Sequence, residues 1–331
     1  MRLCVGHLKT FSEEDMLFGK QLGIDSVQFN TPIDAEGNYL LSYEDLLNLK
    51  TRCADYGMKL ETIENVPISY YDKVMLGLPG RDEQIERYIQ LIRDIGRAGI
   101  PSLGYHFVPT FVWRTSYETI GRGGALVSSF HVDLESEGNK VKYPARLDVE
   151  IPDVETMWDN YAYFMKAVLP VAEQAGVKLA LHPDDPPMEI IAGVARLFIN
   201  FEAFLRAETI AAGSPAWGLD LCLGCCSEMV GGKDNVFKMI NHFGPKGKIF
   251  YVHFRDVKGT VPNFEECFLG EGNFNPAEVI EALYNVGFDG YIMDDHVPKI
   301  VNDSPYGHRA RAYELGKLQG LIAMYDYLKR A

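Results

Sequence analysis

No stretch of the chain reaches the roughly 18 uninterrupted apolar residues that a membrane-spanning helix needs. The opening residues, MRLCVGHLKTF, lack the apolar core and small-residue cleavage site of a secretory leader. The expectation is a cytoplasmic protein with no membrane partner. Positive charge is also scarce. Against 46 Asp and Glu stand 32 Lys and Arg, a formal net charge of -14, which argues against a broad surface for nucleic acid or anionic lipid but leaves room for a few arginines to hold a small anion in a pocket. The six cysteines, Cys4, Cys53, Cys222, Cys225, Cys226 and Cys267, are too scattered for a disulfide scaffold and read as reduced thiols. CLGCC holds one C-x-x-C, but no second pair completes a zinc ribbon. The Gly-rich phosphate fingerprint of a doubly wound dinucleotide fold is missing after the first strand candidate.

What is present is a regular alternation. With 47% hydrophobic and 24% charged residues the chain can bury a large core. Short β-rich runs, RLCVG, DSVQF, KLETI, SLGYHF, KLALH, AWGLDL, IFYVHF and GYIMD, alternate with amphipathic helical stretches, several of which end in glycine. Eight strands each followed by a helix is the count of a closed parallel (β/α)8 TIM barrel, here one domain over residues 1–331. The rhythm breaks between Pro109 and Pro152, where a long Gly-, Ser- and charge-rich insertion follows the fourth strand. Loops this long in compact domains are commonly functional, so the insertion is expected to be a lid over the C-terminal mouth, with GRGG as its hinge.

The most unusual stretch is LALHPDDPP, residues 179–187. An apolar strand ends there in a histidine and two acids among prolines, and the prolines following His182 and Asp185 restrict both residues to extended backbone. Three more strand ends carry metal-ligand side chains: Cys222 after GLDL, His253 after IFYV and Asp295 after YIMD. Because barrel strands converge at one mouth, His182, Cys222, His253 and Asp295 can meet there as a site for a divalent ion such as Mn, Fe, Co or Zn. Arg255 lies two residues past His253, with Lys258 beyond it. Arg114 opens the insertion, and PYGHRARAY supplies Tyr306, Arg309 and Arg311. Arginine suits the bidentate grip of a carboxylate. Asn275 and Pro276 are expected as N-cap and first residue of a helix.

These residues resemble the mannonate dehydratases of bacterial hexuronate breakdown, in the xylose-isomerase-like group of barrels. The matching stretches, in the family's order and spacing, are NVPISYYDKVMLGLPGRDEQIERYIQLIRDIGRAGI, YHFVPTFVW, HPDDPP, VHFRDV, DDH and GKLQGL. The resemblance implies a hydro-lyase that converts D-mannonate to 2-keto-3-deoxy-D-gluconate on a divalent metal, commonly Mn2+, held by His182, Cys222, His253 and Asp295. It implies Tyr306 in proton transfer. With the family's arginine replaced by Met293, Arg309 is then the expected cation beside that tyrosine, and His296 or Asp185 the rival base. Arg255, Arg114, Lys258 and His106 are the expected substrate contacts, His106 standing where the family's Y-N-F pattern has asparagine. The expected partner is a small anionic sugar acid, and a homo-oligomer stays open. The nearest rival is a metal-dependent sugar isomerase or epimerase of the same barrel group.

Overall fold

The computed structural model describes residues 1–137 and 150–330. Along the chain, β1 (Arg2–Leu8) leads to α1 (Glu13–Gln21), β2 (Ser26–Asn30) to α2 (Tyr43–Asp55), and β3 (Lys59–Glu64) to α3 (Asp72–Leu76) and α4 (Arg81–Arg97). After β4 (Ser102–Tyr105) come β5 (Ser116–Ile120) and β6 (Leu126–His131), then α5 (Val154–Ala175). Next are β7 (Lys178–Leu181), the short pair β8 (Ile190–Ile191) and β9 (Val194–Ala195), and α6 (Phe201–Ile210). β10 (Trp217–Cys222) precedes α7 (Leu223–Glu228) and α8 (Lys233–Phe243). β11 (Ile249–Phe254), β12 (Asp256–Thr260), β13 (Asn263–Cys267), α9 (Pro276–Asn285), β14 (Tyr291–Asp294) and α10 (His308–Arg330) complete the order.

The eight strand candidates are the eight staves of a closed barrel, ordered β1-β14-β11-β10-β7-β4-β3-β2, with every neighbouring pair parallel. Parallel strands covered on both faces need near-continuous apolar side chains, and β10 and β11 are buried at every residue. The helices start where side chains satisfy the free amides of a first turn. Ser12, Asp153 and Asn200 each accept from the backbone three residues on, and Ser42 with Asp45 forms a capping box. Asn275 caps α9 with Pro276 at its first position, as the sequence indicates.

The insertion is more ordered than the sequence suggests. β5 and β6 pair with each other and, through β13, with β12, giving a four-stranded antiparallel sheet β12-β13-β6-β5. Phe264 lies opposite Phe130 in that pairing, and Trp113, Phe130, Val257, Val261 and Phe264 form a separate apolar cluster beneath it. GRGG is the turn between β5 and β6 and not a free hinge: Gly123 and Gly124 take positive φ of 63° and 84°, conformations that glycine adopts at little cost. Arg122 beside them is fixed by Glu271 at 2.5 Å and stacks 3.9 Å from the Phe268 ring centroid. Residues 138–149 of the expected lid lie outside the described residues.

Candidate active site and metal centre

Each of the four expected ligands stands at or just past a C-terminal strand end, and the barrel brings them together. Cys222 and His253 are register partners on β10 and β11. Cys222 Sγ lies 3.5 Å from Asp295 Oδ2, His253 Nδ1 lies 4.0 Å from Asp295 Oδ1, and the His182 and His253 ring centroids are 5.4 Å apart. All four residues are buried. His182 Nδ1 is taken by the Pro183 carbonyl at 2.6 Å, which leaves Nε2 as the nitrogen free to ligate. His253 Nε2 is 3.0 Å from Glu64 Oε2 and 3.4 Å from Asp220 Oδ1, while its Nδ1 is buried without a hydrogen-bond partner. A buried nitrogen left open beside a thiol and a carboxylate is anomalous unless something binds there, and two imidazoles, one thiol and one carboxylate suit a divalent ion. The two acids behind His253 fix its tautomer, as carboxylates behind metal-bound imidazoles do. Burial opposes charge on Cys222, but the Cys225 hydrogen bond and the Arg255 guanidinium outweigh it and hold the thiol well below its usual range.

The arginines expected to grip substrate are committed elsewhere. Arg255 is 1% exposed. Its Nη1 donates to Glu228 at 2.6 Å and Glu266 at 3.1 Å, its Nη2 to Asp185 at 3.1 Å and its Nε to Asp295 Oδ2 at 2.9 Å. Arg114 forms a two-pronged pair with Asp185, one prong being Nη2 to Oδ2 at 2.8 Å, and reaches Glu266 at 3.0 Å. Arg255 is thus a positioning residue behind the ligands, and Arg114 faces the cavity with its donors already used. Gly224 is required by this packing, since a Cβ there would lie 2.6 Å from Arg255 Cζ. Asp185, burdened by burial but flanked by both guanidiniums, is held far below the carboxylate range. That environment removes it as a neutral-pH base.

A cavity of about 370 Å³ opens over the quartet, and His182, His253, Asp295, His106, His296 and Asp185 all reach its wall. His106 stacks on His182 with centroids 4.2 Å apart. Burial and the neighbouring His182 push its pKa down to about 3, and its Nε2 has no partner. His296 Nδ1 is 2.7 Å from Glu266. Burial disfavours its cation, yet Asp295 and Glu266 hold its pKa above the ordinary value. Tyr306 lines an adjoining cavity of about 490 Å³ that shares Tyr117 and His296 with the first. Its hydroxyl donates to the Gly6 carbonyl at 2.8 Å, and burial pushes its pKa up.

Two expected residues are corrected. Arg309 is exposed in the first turn of α10 and donates to the Val301 carbonyl, so the cation beside Tyr306 is Arg311, with Cζ 4.5 Å from the ring centroid and Nη1 paired to Asp294 at 2.7 Å. Lys258 sits on β12, 3.7 Å from Glu265 across the hairpin, and does not line the cavity. Residues the sequence reading passed over are His7, Glu64, Asp220, Glu228 and Glu266. The first two also lie at strand ends, so the rule that found the quartet would have found them. Asp220 lies within the strand β10, and Glu228 and Glu266 carried no spacing signal because their partners are distant in sequence. CLGCC opens a helix: Cys222 is the N-cap of α7 and its sulfur accepts from the Cys225 amide at 3.5 Å.

Comparison with known proteins gives the family. The family model described as D-mannonate dehydratase (UxuA) matches residues 20–331. The chain is 30% identical over 341 aligned positions to the mannonate dehydratase of Thermotoga maritima, covering 93% of this chain and 92% of that one. It is 32% identical over 278 positions to mannonate dehydratase 2 of Halalkalibacterium halodurans, covering 76% and 78%. The crystal structure of mannonate dehydratase from Streptococcus suis superposes with a TM-score of 0.84 at 26% identity, over 97% of this chain and 94% of that one. A (β/α)8 barrel by architecture, this chain belongs to the D-mannonate dehydratase family, whose members are hydro-lyases.

Proposed function

We propose that this chain dehydrates D-mannonate, or a closely related hexonate, to the 2-keto-3-deoxy acid, with a divalent metal, Mn2+ foremost, held by His182, Cys222, His253 and Asp295. The observation that carries the reading is the buried, partnerless His253 Nδ1 facing Asp295 within that quartet. When bound, such an ion supplies a positive field that acidifies the proton next to the substrate carboxylate. The chain's own residues do the rest. His106, neutral and with Nε2 open toward the cavity, accepts a hydrogen bond from a substrate hydroxyl and orients it. His296, whose cation is favoured by Asp295 and Glu266, donates a proton to the departing C3 hydroxyl. Lys9 on the cavity wall supplies a cation for the anionic substrate, because Arg114 and Arg255 are spent on carboxylates. Six unpaired cysteines suit a reducing compartment, so we place the activity in the cytoplasm, and no described helix is long and apolar enough to cross a membrane.

The test is to load the purified protein with Mn2+ and assay a panel of hexonates for keto-deoxy products. Turnover of D-mannonate is expected, and His296→Gln should lower kcat by about 10²-fold or more while metal stays bound. A panel that yields isomerised or epimerised sugars but no keto-deoxy acid would refute the dehydratase reading.

A further inference from the structure

The family model begins at residue 20, so β1, the first stave of the barrel, lies outside the matched stretch. That stave nevertheless enters the site. The pairing of β1 with β2 shifts register between Val5 and Leu8, and His7 in that shift has φ of 60°. A left-handed backbone is uncommon for a residue other than glycine and persists only where the surroundings hold it. Register irregularities of this kind re-aim side chains beside active sites. Here the backbone N–H of His7 donates to Gln28 Oε1 at 2.8 Å, and Asn30 Nδ2 lies 3.4 Å from His7 Nδ1. The ring is fixed from both ends, with Nε2 directed into the mouth.

Nε2 is buried and lies 2.8 Å from Asp295 Oδ1, an ion pair when the imidazole is protonated, but the two are not aligned as a hydrogen bond. Short separation without hydrogen-bond alignment is the arrangement of two adjacent donors turned toward a common third point. The ligand atoms of His7, His253 and Asp295 all fall within 4.8 Å of one another. Asp295 Oδ2 is already taken by Arg255 Nε at 2.9 Å, so Oδ1, the oxygen beside His7, is the one open to an ion. Two open imidazole nitrogens, His7 Nε2 and His253 Nδ1, thus flank one open carboxylate oxygen.

We propose that His7 is a fifth protein ligand of the metal, joining His182, Cys222, His253 and Asp295 to give a site with three imidazoles, one thiolate and one carboxylate. This rests on the quartet assigned above. A third nitrogen donor raises the coordination number supplied by protein and shifts preference toward metals later in the divalent series, which favour imidazole.

The experiment uses the full chain stripped of metal and titrated with Co2+ in competition with a chromophoric chelator, with the visible ligand-field bands recorded at saturation. His7→Asn is the main variant, because asparagine tolerates the left-handed backbone, and His253→Ala is the reference. Wild type is expected to bind one Co2+ per chain. His7→Asn should bind at least tenfold more weakly, with a changed band position and intensity. Affinity within twofold of wild type, or weaker binding with an unchanged spectrum, would overturn the fifth ligand while loss of binding in His253→Ala kept the quartet. Failure of wild type to bind Co2+ at all would instead bring down the quartet, and this inference with it.

Discussion

Around Arg114 and Arg255 the side chains must resolve an excess of negative charge. Arg114 and Arg255 are crowded by three buried carboxylates, Asp185, Glu228 and Glu266, and like charges this close favour a proton on one of them. Glu228 is the candidate: burial, then Asp185, push its pKa up to about 8, and its Oε2 has no partner. Asp185 and Glu266 carry the charge. Glu228→Gln, a neutral isostere, should therefore change stability by less than ~1 kcal/mol at pH 6, whereas Asp185→Asn leaves two buried cations short of a partner and should cost about 3–5 kcal/mol. Urea unfolding of the two variants checks this, and equal losses would refute the proton assignment. The pH dependence has a definite sign. With the folded-state pKa above the unfolded one, near 4.3, the Glu228 contribution is complete below that value and is lost as pH rises through about 8. Glu228→Gln should flatten that decline. None of this was legible from spacing, because Arg255 and Glu228 meet across 27 positions and Arg114 and Glu266 across 152. The clustering of the four candidate ligands was legible, since each sits at or just past the end of an apolar strand.

Among the elements, the eight barrel strands announce themselves as apolar runs because they are covered on both faces. β5 and β6 do not. SYETI is largely exposed, its partner strand LVSSFH shows no strict alternation, and the pairing that orders both comes from β13, more than 100 residues away. A sequence reading sees only a long polar insertion. In the structure that insertion delivers Arg114 and Tyr117 to the cavity wall and is seated by Phe264 and Phe130, whose rings stack with centroids 5.9 Å apart. Phe264→Ala should remove about 3–5 kcal/mol of packing, felt by the four-stranded sheet and not by the barrel. The expected outcome is fast proteolytic nicking between residues 111 and 137, a raised KM and a nearly unchanged far-UV circular dichroism spectrum. Unaltered nicking would mean that the sheet is held by something other than this cluster.

For the molecule as a whole, the barrel core and the proposed metal centre are expected to be separate sources of stability. The main apolar cluster runs through all eight staves and their helices, from Val5 and Phe29 to Phe204 and Leu318, and needs no ion to form. The quartet differs in that its members are polar and buried at the mouth, where contacts to Arg255, Glu64 and the Cys225 amide offset only part of their desolvation. Chelation should therefore leave a folded barrel that melts earlier. A metal present at 100 times its Kd stabilises the native state by about 2.7 kcal/mol. For 331 residues, an unfolding entropy of ~2.1 cal/mol/K per residue makes each kcal/mol worth about 1.4 °C. Stripping the metal should then lower Tm by about 4 °C with the circular dichroism spectrum intact, and Mn2+ should restore it. In Cys222→Ser, which removes a proposed ligand without disturbing the core, Tm should sit near the stripped value and respond little to added Mn2+. Collapse of secondary structure on chelation would show that the ion organises the barrel itself, and an identical response of wild type and Cys222→Ser to Mn2+ would show that this thiol is not among its ligands.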